Sequence, residues 1–181
     1  MQSNLSKSRS MLERGFTLVE LVIVIVIMGI MGALAAARYF DRSSFDASAY
    51  TEQLRAMLRY GQKVAIAQNR PVFVRLDGSS VALCFTSSCA GQQVIAPSGY
   101  NSRSSATAAA CVSAVWACEG KPAGVTMTSA NTFYFDPLGV PFAGTDAVGS
   151  VTSTFAKQLI TIAGDGSDRI VTVEAETGYV H

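Results

Sequence analysis

The sequence predicts an α+β fold, in which a long N-terminal α-helix, transmembrane in its first half and amphipathic in its second, packs on a C-terminal antiparallel β-sheet. Three observations lead there. Residues 16–40 are almost uninterruptedly apolar, and residues 44–68 repeat apolar side chains at spacings of three and four. From Pro71 onward the chain breaks into short β-branched and aromatic runs punctuated by Gly, Asp and Pro.

The chain has 181 residues, and setting aside the N-terminal segment leaves roughly 140 for one compact domain. A net charge of +1 and a pI near 7.6 give no field over the whole molecule that would draw nucleic acid or an acidic partner. Apolar residues make up 49% and charged ones only 15%, which argues against disorder over most of the chain.

In the first element, residues 21–37 hold no charge. With 16–20 they form a helix that, at ~1.5 Å per residue, spans about 30 Å, the hydrocarbon thickness of a bilayer. Lys7, Arg9 and Arg14 precede it against Glu13 alone, which places the N-terminus in the cytoplasm and the rest of the chain outside. A cleaved secretory signal would have an apolar core of roughly 7–15 residues and a small-residue cleavage site. This run is longer, and its small-residue cluster GALAAA at 32–37 leads into RYFDRSSF without a break. The β-branched run 22–27 could form a buried strand, but the length and the lack of turn residues favour helix.

Glu20 is the anomaly. A carboxylate near the centre of a span costs on the order of 2.5–3.5 kcal/mol, less at the interface. Either Glu20 reaches water, or a positive group held at the same depth pairs with it. No Lys or Arg within the segment can serve.

RGFTLVE at 14–20, followed by an apolar helix, resembles the prepilin signature of bacterial type IV pilins and type II secretion pseudopilins. The resemblance implies that a prepilin peptidase cuts between Gly15 and Phe16, that 1–15 is a leader peptide, and that Phe16 becomes the N-methylated first residue. Glu20 is then fifth in the mature chain, and the freed α-amino group of Phe16 is the missing cation. Pairing of that amine with Glu20 of a neighbouring subunit would set axial register more than it would add stability. The implied layout is leader 1–15, transmembrane or filament-core helix 16–40, and periplasmic or extracellular globular domain 41–181. The implied partners are major and minor pilin subunits, the peptidase, the inner membrane and its assembly platform. The implied location is the inner membrane, then the pilus or cell surface. No cofactor or metal is expected.

Gly29, Gly32, Ala33 and Ala36 lie three and four apart, a spacing that admits close helix approach but is also ordinary in membrane helices. Many members of the family carry proline where this chain has Ala37, so a kink there is not carried over.

The amphipathic half, 44–68, places Phe45, Tyr50, Leu54, Met57, Leu58, Val64 and Ala65 on one face, with Arg55, Arg59, Gln62 and Lys63 between. Asn69 and Pro71 end it. PVFVRLDGSSVALCF then reads as a hairpin about Asp77-Gly78. Residues 132–135 form a strand before the turn of FDPLG, and the C-terminal stretch reads as strand, turn, strand, turn and a short last strand. LRYGQKVAIAQNRPVFVRL, FDPLG and TVEAETGYVH are similar to the GspH/FimT group of minor pilins and pseudopilins, and especially to MshC of mannose-sensitive haemagglutinin (MSHA) pili. The function implied is that of a minor pilin in pilus biogenesis or adhesion. A GspH-like pseudopilin of a type II secretion system is the alternative.

Cys84, Cys89, Cys111 and Cys118 are an even set in a domain placed outside the cytoplasm, which argues for two disulfides. Three pairings are open. Bridges 84–89 and 111–118 are the first reading, and the crossed pairings, which would tie strand to loop, are equally attractive. The spacings match neither a CxxC redox motif nor a zinc ribbon. Between the cysteines the chain is small, polar and irregular, with Trp116 either a contact residue for a partner or a cover for the sheet.

Enzymatic readings find little. The single histidine, His181, ends the chain, and no HExxH, nucleophile elbow or P-loop is present. Asp165 and Asp168 in GDGSDR faintly resemble a calcium loop, but a hairpin turn explains them better. Some FimT-type minor pilins bind DNA through an Arg-rich C-terminus, whereas this chain has no arginine after Arg169 and carries Glu174 and Glu176, so DNA is not an expected partner. Arg55, Arg59, Lys63 and Arg70 could form a basic stripe, or simply a solvated helix face.

Overall fold

A computed structural model describes residues 17–128, 130–164 and 166–181, with 36–42 described by backbone alone. Two compact units divide the chain, Met1–Tyr39 and Phe40–His181. One helix, α1 (Leu18–Gln68), contributes to each.

In the first unit the described side chains of α1 are all exposed and mostly apolar, and the window Leu18–Ala35 has a mean hydropathy of 2.7. Nothing lies within 4 Å of where a Cβ would sit on Gly29 or Gly32.

In the second unit α1 buries Ala47, Tyr50, Leu54, Met57, Leu58, Val64 and Ala65, so the amphipathic face is the one its periodicity predicts, with one exception. Phe45 is 76% exposed, and Ala47 takes the core position instead. The buried stripe runs through positions 47, 50, 54, 58, 61 and 65, and residue 45 lies well off it on a 3.6-residue helix. The helix stops through a Schellman cap. Asn69 adopts φ 49°, its N–H donates to Ile66 O, and Arg70 N–H donates to Ala65 O, so the orphan carbonyls of the last turn are used.

Past the cap, β1 (Val72–Leu76) and β2 (Ser80–Cys84) form the expected hairpin, with Val74 opposite Leu83. Asp77 closes it by accepting at Oδ1 from the N–H of Ser79 (3.0 Å) and of Ser80 (2.7 Å). A short helix, α2 (Ser105–Ala110), and the strands β3 (Cys118–Gly120) and β4 (Thr126–Met127) follow. The remaining strands are β5 (Phe133–Phe135), β6 (Pro141–Ala143), β7 (Gln158–Ala163) and β8 (Asp168–Val173). Between β5 and β6, Gly139 at φ 83° makes the turn of FDPLG, and Asp136 Oδ1 accepts from the N–H of Leu138 and Val140.

All strand pairs are antiparallel, as expected, but they divide into two sheets: β3-β2-β1-β5-β6 and β4-β7-β8. The expected last strand is a single bridge, Val180 to Val173. Val72, Val74, Leu76, Val81, Leu83, Phe133 and Phe135 of the larger sheet share one core with α1 and with Ile160, Ile162, Val171 and Val173 of the smaller. Each fully buried aliphatic side chain there contributes about 1.5–3 kcal/mol. Alternate residues of the larger sheet form two separate clusters. In one, Tyr134 stacks on Phe142 (centroids 5.3 Å apart) and meets Phe73 at a tilt (4.9 Å), and Ala82, the four cysteines and Trp116 make the other.

Candidate functional site

The N-terminal candidate begins at Thr17. Its carbonyl accepts from Leu21 N–H at 3.2 Å and its hydroxyl accepts from Glu20 N–H at 3.3 Å, so Thr17 is the N-cap and Glu20 the third helical residue. That is the Thr-x-x-Glu order of a capping box, and it sets the acid in the first turn, where the helix dipole favours negative charge. Helix chemistry alone thus gives an acid at position 20 a favourable place, and the order TLVE carries that signal. Gly15 and Phe16, the candidate processing residues, lie outside the described residues.

The candidate cysteines pair as Cys84–Cys89 and Cys111–Cys118. Both bridges sit in the cluster around Trp116, and Cys89 and Cys111 are only 6% and 7% exposed. Trp116 is not a contact residue. It is 3% exposed, and its indole N–H donates to Leu83 O at 2.7 Å, because a buried indole nitrogen needs an acceptor and the β2 carbonyl is within reach. Exposed apolar side chains in this loop are instead Ile95, Tyr100, Val112 and Val115.

Sequence reasoning missed α2 and Glu119. Ser104 caps α2 by accepting from Thr107 N–H at 3.1 Å. Glu119, buried in β3, accepts the hydroxyl protons of Ser102 and Thr107 and the Ser102 N–H. Gly120 is the neighbouring necessity, since a Cβ there would lie 2.3 Å from Ala106 O. The only signal for this knot was a lone acid between Cys118 and Gly120.

The basic stripe does not assemble. Arg55 pairs with Glu52, Arg59 donates to Val180 O at 3.1 and 2.9 Å, and Arg70 lies 3.7 Å over the Phe85 ring. Lys63 is left exposed. The three arginines are committed to local partners and Lys63 stands on a solvated helix face, so the stripe reading gives way to a structural one.

His181 meets Glu174 at 3.1 Å and stacks on Tyr179, an arrangement with no nucleophile in it. Hydrogen bonds from Lys157 and then His181 hold the Glu174 carboxyl below its usual range. Asp168 opens β8, Asp165 lies outside the described residues, and among the described residues no cluster of His, Cys, Asp and Glu could hold a metal.

Residues 10–36 match a family model described as the prokaryotic N-terminal methylation motif. Residues 18–36 of the match fall in α1, and the match also covers Gly15 and Phe16. No curated protein matches the chain. Among solved structures the chain is similar to the type IV minor pilin FimU of Pseudomonas aeruginosa in two crystal forms. One alignment has 14% identity, covers 76% of this chain and 88% of FimU, and has a TM-score of 0.47. The other has 14% identity, 74% and 90% coverage, and a TM-score of 0.44.

Proposed function

We propose that this chain is a minor structural subunit of a type IV pilus, of the MSHA type, and not an enzyme. Residues 1–15 are a leader removed by a prepilin peptidase between Gly15 and Phe16, and Phe16 is then N-methylated. Residues 16–40 are an inner-membrane anchor that becomes filament core, and 41–181 are the domain displayed outside the cytoplasm. Glu20 pairs with the amine of a neighbouring subunit and fixes register. The observation that carries this reading is the methylation motif over residues 10–36, laid on a fully exposed apolar helix whose first turn contains that single acid.

Intact mass of the protein from its host tests processing: a mass lacking 1–15 with one added methyl is expected, and an N-terminus at Met1 or after Ala37 overturns the reading. Glu20→Ala should keep insertion and cleavage and lower incorporation beside neighbouring subunits several-fold. Unchanged assembly would leave Glu20 an interfacial acid. Co-purification with a major pilin supports the pilus assignment, whereas recovery with secretion pseudopilins replaces it.

A further inference from the structure

A cavity of about 290 Å³ opens in the second unit beside α1. Ala56, Met57 and Tyr60 line it from the helix, Pro97 and Tyr100 from the loop that follows β2, and Glu119 from β3. Apart from a few polar groups its surface is hydrocarbon and aromatic ring.

Glu119 has no counter-charge there. It is 7% exposed, and among the described residues no Lys, Arg or His lies within ion-pair distance. The nearest cations along the chain are engaged elsewhere, since Lys121 Nζ donates to Val125 O and the Arg103 guanidinium lies 4.0 Å over the Tyr100 ring. Oε2 accepts the hydroxyls of Ser102 (2.5 Å) and Thr107 (2.8 Å), while Oε1 accepts only the Ser102 N–H, at 2.7 Å. A carboxylate offers about four acceptor positions, so Oε1 retains capacity for another donor. Burying a carboxylate without a cation is costly, and the natural complement is a positive group small enough to enter.

We propose that this cavity takes an alkylammonium group, a primary amine on a short apolar stem, with the ammonium at Glu119 Oε1 and the methylenes along Ala56, Met57 and Pro97. The Tyr60 ring adds a favourable face for a cation. A lysine side chain of a partner protein and a free alkylamine share this chemistry. Neither prepilin processing nor assembly through the N-terminal helix is required, so the site stands independently of the proposed function.

The test uses the full chain in detergent micelles with its methionine methyls carbon-13 labelled. Met57 reports on the cavity, and Met28 and Met31 in the apolar helix report any uptake of probe by the micelle. The probes are Nα-acetyl-lysine methylamide, 1-aminopentane and, as neutral control, the Nε-acetylated lysine derivative. A saturating shift confined to Met57 is expected with the amines, at least tenfold weaker with the neutral control. Response to both amines identifies a lysine side chain as an admissible guest; response to 1-aminopentane alone identifies a free amine. Glu119→Gln should weaken binding at least tenfold. Should that variant not fold, Ala56→Phe, at an exposed helix position, fills the cavity while keeping the Glu119 network and should abolish the shift. An equal response to the neutral probe, no response to any probe, or full binding by either folded variant overturns the proposal.

Discussion

Trp116 donates its indole N–H to the carbonyl of Leu83 at 2.7 Å, a carbonyl that also accepts from Val94 N–H at 3.1 Å. The irregular loop between the cysteines is thus anchored on β2 by a side chain and by its own backbone. Trp116→Phe keeps most of the packed volume and removes the side-chain bond. Stability should fall by about 1–3 kcal/mol, read from urea unfolding followed by far-UV circular dichroism, since the chain's single indole is lost. A change under 0.5 kcal/mol would mean that the remaining bond satisfies Leu83.

The two cystines close loops with sequence separations of five and seven residues. Short loops confer modest chain-entropy stabilisation, about 2 kcal/mol each on the loop-closure relation. Replacing Cys84 with Cys89, or Cys111 with Cys118, by alanine pairs should lower stability by roughly that amount, with somewhat more from the lost packing around Trp116. Crossed pairings would tie β2 to the loop and would make either double variant leave two mismatched thiols, which thiol titration of the folded variants would detect.

Asp77 controls the β1–β2 turn. Burial pushes its carboxyl up, but hydrogen bonds from Ser79 and Ser80 outweigh that and leave it below the usual aspartate range. A group depressed in the folded state adds stability above its unfolded value and loses it as pH falls through the folded one. Acid titration of stability from pH 5 downward should therefore be shallower for Asp77→Asn than for the parent, while at pH 7 the variant is the less stable. Equal slopes would show that the turn does not depend on the charge.

Arg59 holds the C-terminal residues to α1 through two bonds to Val180 O. Arg59→Gln should cost about 1–2 kcal/mol and raise hydrogen exchange at His181, whose N–H pairs with Thr172 O. Because the same guanidinium is engaged by Val180 O, Arg59→Gln should leave retention on DNA-cellulose unchanged. Reduced retention would restore the basic-stripe reading.

Much of the fold was legible because its signals are local. The 47–65 stripe needs only helical periodicity, Asn69 and Pro71 needed only cap chemistry, and Asp77-Gly78 and the Asp136–Gly139 turn announced their hairpins. Phe45 falls off the stripe because it lies five residues before Tyr50, well over a helical turn, whereas Ala47 fits the angle. The helix α2 was invisible because SATAAA has no amphipathic pattern, and its support comes from Ser104 and the distant Glu119 network. The division of the strands into two sheets is likewise tertiary. At the N-terminus RGFTLVE is plain in the sequence, and the cap within TLVE is an equally local signal.

The covalent layer on the outer face of the larger sheet is separable from the main core. With its thiols reduced, the chain can complete the core shared by α1 and both sheets, which contains no cysteine. Reduction removes covalent links from the cluster of Ala82, Trp116 and the four cysteines, where the indole bond to Leu83 O and the buried packing remain. The loop that carries Ile95, Tyr100 and Val115 is therefore the part of the fold that the two bridges tighten.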